Sequence, residues 1–548
     1  MTDLIIRTEV LGGSPLARAA IDGQLDEWYA PRPGTPDEWR AAAGLVRANQ
    51  PGRSWVEALA PALSATGAAA TRLHRVADGN GVVVTTGQQP GLFGGPLYTW
   101  SKAISALTLA DEIERVTGVP TVPVFWAATD DADYAEASWT AVGVPGGAER
   151  LALPAAVPLG RPMSGMPLGD PSAALDTLVR ACGSTVDDRP LAAVSAAYHA
   201  GATVGGAYVA LLRALFEPLG IAVLDASHAS VSAAARAHLL LALERADVVS
   251  SALRGRDEAI RAAGFTPQVS EVAGLSLVFE RDAGGGEKRR LPLKEARSYS
   301  GTGGVLSPNV LLRPVIERAI LPTVSYVAGP GEIAYFAQVS AVAAALDLAS
   351  PRVVPRWSVT IIEPHVARIL GRFGLAAEDL ADPHAAEGRL AREAVPAEVE
   401  RAVSQLRQDV DRRVTAVGDG TVAANLGLAE MVIEGARRGV QHRIDRLERR
   451  IVAAVKRREL ETMRQVATAR GALYPLGIRQ ERALNAVPFL ARHGSAFVDG
   501  MVSAARGHAV ALVGTDSAPS TAATEASRSR AGDSRVGTRA EPTRVIDA

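Results

Sequence analysis

The sequence predicts an α/β protein in which a parallel-sheet core is joined to an antiparallel helical arm. Three observations carry that prediction. A β-branched burst, Val82–Thr86, passes through a loop with four glycines into a helix-period segment from about Tyr98 to Val116. A second apolar run, Val122–Ala127, follows at the spacing of a strand–helix–strand unit, which implies parallel strands. Between about Glu398 and Arg470 the apolar residues step by three and four among Arg and Glu, as in helices with a narrow seam.

The elements follow in order. Residues 1–75 read as helices broken by Pro and Gly. The βαβ unit comes next and runs directly into an acidic loop, after which about 145–200, rich in Ala, Pro and Gly, reads as an insertion. Tyr208–Leu219 then Ile221–Asp225 repeat the helix–turn–strand pattern. LSLVFE, DAGGGE and KRRLPL, within 270–296, read as a hairpin that belongs to a second insertion at about 250–300. Asn309–Gln338 holds a helix, a strand and a loop-to-helix turn, and Val353–Ile362 is strand-like. The predicted organisation is a core over 1–375, an arm over 380–471 reversing at Gly418-Asp419-Gly420, a segment 472–513 returning to the core, and a disordered tail over 514–548.

Composition removes several classes of function. The 548 residues carry a formal net charge of −1 and no block of like charge, so no nucleic-acid partner is expected. The lone cysteine, Cys182, excludes a disulfide framework and a thiolate zinc site, and no two of the nine histidines have metal-ligand spacing. No apolar run approaches the ~20 residues that span a bilayer. MTDLIIRTEV lacks the features of a signal peptide, so a cytoplasmic protein without membrane partners is expected. Lysine is rare: Lys102, Lys288, Lys294 and Lys456 are its only positions, which draws attention to Lys102 one turn into the first sheet helix.

The candidate chemistry gathers at loop positions after strands. Gly87, Gly91, Gly94 and Gly95 would let backbone N–H groups approach an anionic or nucleotide ligand, with Gln88 and Gln89 as donors and acceptors. The loop has neither the P-loop Gly-Lys-Ser/Thr nor G-x-G-x-x-G, and a turn that merely reverses the chain is the competing reading. Asp130, Asp131, Asp133 and Glu136 follow the second sheet strand, where carboxylates would hold Mg²⁺, bind an ammonium or act as a base; a solvated acidic turn is the alternative. Gly329-Pro330-Gly331-Glu332 opens a helix bearing Tyr335 and Gln338. Arg313 and Arg356 are candidates for clamping a carboxylate or phosphate, against ordinary surface salt bridging.

The blocks TTGQQPGLFGGPLYTWSKAISAL, VPVFWAATDDADYAE, NVLLRPVIERAILPTVSYVAGPGEIAYFAQ, PRWSVTIIEP and YPLGIRQERALNAVPFLARHG give the chain a resemblance to the BshC family, the cysteine-adding ligases of bacillithiol biosynthesis. The match runs in order across about 1–510. The resemblance implies a Rossmann-like core with connecting-peptide insertions, a coiled-coil arm pairing two subunits into a homodimer, and condensation of L-cysteine with the amine of glucosaminyl malate. Carried over by position, its motifs fall on Gln88, Gln89, Gly91, Gly95, Tyr98, Lys102, Trp126, Asp131, Asp133, Asn309, Arg313, Gly331, Glu332, Tyr335 and Gln338. The chain departs from the family at its acidic loop, usually Gly-Glu-Asp-His-Asp, where it reads Thr129-Asp130-Asp131-Ala132-Asp133 and lacks the imidazole.

Amide formation from a carboxylate requires activation, with ATP and Mg²⁺ as the co-substrates such a step would draw on. In this reading Lys102 stabilises developing negative charge, and Asp131 or Asp133 binds the cysteine ammonium or Mg²⁺, or deprotonates the attacking sugar amine. Arg313 and Arg356 receive malyl carboxylates. The rival readings are a nucleotidyl-transfer enzyme on another small substrate and a non-catalytic dimeric scaffold for bacillithiol enzymes.

Overall fold

The computed structural model describes residues 4–50, 52–154, 160–270, 272–282, 286–300, 304–382, 384–514 and 546–547. Five strands, β1 (Val82–Gln88), β2 (Thr121–Ala127), β3 (Ala222–Asp225), β4 (Thr323–Ala328) and β5 (Val353–Pro355), form one sheet in the order β5-β4-β1-β2-β3. Every pairing is parallel, with Gly87 opposite Trp126, Ala127 opposite Asp225 and Ala328 opposite Pro355. This is the doubly wound Rossmann-like arrangement, whose order reverses between β1 and β4.

The strands read as near-continuous apolar runs because both faces are covered. One face packs Val83, Val122, Val124, Trp126 and Tyr326 into the main core. The other sets Val82, Val84, Val324 and Val327 against Ala106, Leu109 and Ile113 of α1 (Leu97–Thr117). Helix α1 is buried on nearly all sides, which is why Lys102 near its start is only 3 % exposed. Helices α2 (Arg313–Ile320) and α3 (Pro330–Ala345) flank β4 in sequence.

Most expected elements are present with small boundary shifts. The hairpin of Leu275–Arg281 with Arg289–Pro292 gains a third antiparallel strand, Val305–Pro308. Within 1–75 a strand, Ile5–Glu9, precedes the helices. Cys182 is buried in helix Ser172–Cys182. The disorder expected of 514–548 falls largely outside the described residues; Ile546–Asp547 pairs with Val269–Ser270.

By internal contacts the chain divides into two units. The larger holds Ile6–Val142, Arg150–Thr360 and Glu481–Ala548, and the other holds Met1–Ile5, Gly143–Glu149 and Ile361–Gln480. The second unit carries the arm, α4 (Ala397–Ala423) and α5 (Glu430–Arg458). Its reversal is not at Gly418–Gly420, as expected, but at 424–429, where Asn425 and Gly427 take positive φ. Gly418 is instead a close-packing position: a Cβ there would lie 3.3 Å from Ile433 on the returning helix. The seam is only partly covered, with Leu406 43 % and Leu447 45 % exposed. Among the described residues no helix is long and apolar enough to cross a membrane.

Candidate functional site

The crevice outside the carboxyl ends of the strands, at the point where strand order reverses, is where this sheet type binds ligands. Here the reversal point is bridged by Lys102. Its ammonium donates to the Gly87 carbonyl at 2.7 Å and to Gln88 Oε1 at 3.0 Å, and it pairs with Glu332. Glu332 in turn accepts from the Gly329 N–H at 2.7 Å and the Tyr326 hydroxyl at 2.8 Å, so its carboxylate satisfies the N-cap amide of α3. Gln88 completes the ring by donating to the Tyr98 hydroxyl at 3.2 Å. Burial pushes the Lys102 ammonium down from its ordinary pKa, against the pull of Glu332.

An ammonium has three protons, and all three of Lys102 are engaged. The expectation that Lys102 meets a developing negative charge directly is therefore corrected: it ties the end of β1 to the start of α3. Arg356 is corrected likewise. Its guanidinium holds Glu481 through two bonds of 2.7 Å and also donates to Ser101 Oγ and the Trp357 carbonyl, all in the interior. It clamps the chain's own carboxylate rather than a ligand's.

The glycine loop also turns inward. The N–H groups of Gly94 and Gly95 bond the carbonyls of Gly91 and Leu92. Asn485 donates to the carbonyls of Leu92, Phe93 and Gly95. Gly94 and Gly95 have φ of +90° and +77°, and a Cβ on Gly91 would meet Gly95 Cα at 2.6 Å, so the glycines serve a tight turn. Of the amides expected to cradle an anion, those of Gly94 and Gly95 are spent within the turn. Among the described residues no group of three or more His, Cys, Asp or Glu is placed to hold a metal ion.

The other predicted residues separate into two groups. Gln89 and Asp131 meet at 2.6 Å and join the two strand-end loops, while the second Asp131 oxygen accepts the Asp133 N–H at 3.0 Å. Trp126 and Asp130 line a cleft with Ser227, Arg281, Lys288 and Ile316. There Lys288 donates to the Asp130 carbonyl at 2.8 Å, and the Trp126 Nε1 and Ser227 Oγ atoms have no hydrogen-bond partner among the described residues. Asn309 caps the turn into α2 through Oδ1, bonding the N–H groups of Leu311 and Leu312, and its Nδ2 is likewise unpartnered.

Three predicted residues lie apart from this chemistry. Gln338 is taken up by Val269 and Asp257 inside the core. Asp133 is exposed and caps the short helix Tyr134–Ala137. Gly331 is exposed in the first turn of α3, where an added Cβ would meet nothing within 4 Å.

Arg313 is the cation that remains. It makes no ion pair within 4 Å among the described residues and is half-buried between the Tyr335 and Tyr326 phenols; burial opposes its charge, whereas Tyr335, Tyr326, Asp130 and Glu332 favour it. One turn further along α2 stands Glu317, which the sequence reading missed. It is 1 % exposed, with neither carboxyl oxygen bonded. The available signal was a charge four residues after Arg313 on the face that also carries Ile316 and Ile320.

The comparisons with known proteins agree with this architecture. The profile for "Bacillithiol biosynthesis BshC, N-terminal Rossmann-like domain" matches residues 20–357, and that for "Bacillithiol biosynthesis BshC, C-terminal coiled-coil domain" matches 359–511. A protein of Solibacter usitatus named "Putative cysteine ligase BshC" is 31 % identical, over 84 % of this chain and 88 % of its own length. Proteins with the same name from Koribacter versatilis (31 %, 81 % and 85 %) and Geobacillus thermodenitrificans (30 %, 80 % and 84 %) are similar to the same extent. With both domains matched in order, the chain belongs to the BshC family.

Proposed function

We propose that this protein is a ligase that forms the amide bond between L-cysteine and the amine of glucosaminyl malate, the last step of bacillithiol biosynthesis. The observation that carries this reading is the family match across both domains, together with the relatives' printed name as cysteine ligases. The site supports it chemically. Arg313 offers a guanidinium that makes no ion pair among the described residues, suited to a substrate carboxylate. Asp130 and Asp131 stand at the end of β2, where an ammonium or an attacking amine meets negative charge. Trp126 and Ser227 offer unpaired donors to the polar body of a sugar.

Lys102, Glu332 and Gln88 keep the mouth of the crevice in shape, which is preorganisation rather than direct contact. The partly covered arm seam supports pairing of two copies into a homodimer.

The test is reconstitution. Purified protein incubated with L-cysteine, glucosaminyl malate and ATP is expected to yield bacillithiol by mass spectrometry. A nucleotide adduct without thiol product would support nucleotidyl transfer instead. In a deletion strain, normal thiol levels restored by Arg313→Gln together with Asp131→Asn would favour a scaffold.

A further inference from the structure

The charges behind the crevice do not cancel in an ordinary way. Lys102 and Glu332 neutralise one another, Arg313 makes no ion pair among the described residues, and Glu317, one helical turn after Arg313 and under the influence of both cations, has no hydrogen bond to either oxygen. The groups facing Glu317 are Arg313 on its own helix, Thr85 on β1, Lys102 on α1, Tyr326 on β4, and Glu332 and Tyr335 on α3. The Thr85 hydroxyl is beside the carboxyl, and its polarity favours the ionised form.

We propose that Glu317 is a positioning residue of this site that takes up a proton when an anionic group docks on Arg313, so that carboxylate and proton enter together. With Glu317 ionised the four charges sum to zero, and an arriving carboxylate leaves an excess of negative charge in a dry interior. Protonating Glu317 removes that excess. Burial already raises Glu317 from the ordinary carboxylate value to about 7, opposed by Thr85, Arg313 and Lys102. A further anion nearby raises it again. The inference rests on the reading of Arg313 as a carboxylate receiver.

Two measurements on the full chain decide it. Infrared difference titration of the ligand-free protein is expected to show one protonated carboxyl band lost near pH 7, absent in Glu317→Gln and shifted to higher pH in Thr85→Val. Calorimetry with L-malate at pH 7, in two buffers of different ionisation heat, is expected to show uptake of about half a proton. Malate affinity is expected to weaken between pH 6 and 8, by up to about tenfold per unit once Glu317 is ionised, and Glu317→Gln flattens both effects.

Absence of the band, uptake unchanged in Glu317→Gln, or malate binding without uptake would each overturn the proposal. So would failure of malate to bind, because the coupling then has no anion. Ligase activity that persists through any of these results leaves the proposed function standing, whereas no thiol product with the coupling intact removes that function alone.

Discussion

Arg356 and Glu481, 125 residues apart, meet in a buried bidentate ion pair with both bonds at 2.7 Å. Ser358 Oγ and the Val359 N–H also reach the same carboxylate, at 3.0 and 3.3 Å. The pair fastens the segment that follows the arm to the end of β5. Burial raises the Glu481 carboxyl, yet Arg356, Ser358 and Val359 together hold it below its ordinary value. Its contribution to stability is therefore complete above the ordinary carboxylate range and is lost as pH falls through the lowered value.

Glu481→Gln leaves a buried guanidinium without its counter-charge. It is expected to cost about 3–5 kcal/mol at pH 7, read as a lower urea midpoint. Arg356→Lys forfeits the two-pronged geometry and is expected to destabilise as well. At acid pH the gap between wild type and Glu481→Gln is expected to narrow, since the wild-type carboxylate is then protonated too.

Asn485 braces the glycine loop from the same C-terminal segment. Its amide group lies 3.3, 3.0 and 3.2 Å from the carbonyls of Leu92, Phe93 and Gly95, while its oxygen accepts the Val487 N–H at 2.8 Å. Asn485→Ala leaves buried carbonyls unpaired and is expected to cost about 1–3 kcal/mol. Thermal unfolding measures that loss. Ligase activity is expected to fall further than stability, because the loop carries Gln88 and Gln89 into the crevice.

The sheet was legible in the sequence because each parallel strand, buried on both faces, announces itself as a short β-branched run. What Lys102 and Arg356 do was not legible. Their partners, Glu332 and Glu481, lie 230 and 125 residues downstream, and no local pattern records such pairings. The glycine loop misled for a related reason. A loop whose amides face a ligand and one whose amides face each other need the same glycines. The arm's reversal was misplaced because Gly418 reads as a turn, whereas in the helix it makes room for Ile433.

Gly91 tests the inward-turned loop by steric means. Its φ of −141° suits any residue, so the demand is for space, with a Cβ only 2.6 Å from Gly95 Cα. Gly91→Ala is expected to destabilise by about 1–3 kcal/mol. Gly118→Ala is the control: φ is +70° but nothing lies within 4 Å of the new Cβ. That change is expected to cost only about 1 kcal/mol of backbone strain. Equal midpoints for the two variants would count against the packing argument.

Lys102 and Arg313 separate architecture from chemistry. Lys102→Ala strands the Glu332 carboxylate in the interior, and both stability and activity are expected to fall, the former by about 3–5 kcal/mol. Arg313 has no ion-pair partner within 4 Å among the described residues, though its charge offsets that of Glu317, so Arg313→Gln is expected to lose much less stability than Lys102→Ala. Its kcat/KM is expected to drop about 100-fold, equivalent to ~3 kcal/mol. Paired unfolding and steady-state measurements on both variants check this contrast. Similar loss of stability in both would mean that Arg313, too, is structural.

Glu317 gives the stability of the protein an unusual pH dependence. Its carboxyl is raised from 4.5 to about 7 by burial, so the folded state holds a proton that the unfolded chain releases first. The contribution of this group is present in full below about pH 4.5 and is lost as pH climbs through about 7, the reverse of what Glu481 does. A shift of that size is worth on the order of 3 kcal/mol. Glu317→Gln removes the titration while keeping the side chain's size. Relative to wild type, the variant is expected to gain on the order of 3 kcal/mol between pH 4.5 and pH 8. Urea unfolding of the two proteins across that range measures the difference, and a constant offset at all pH values would show that Glu317 stays ionised in its buried position.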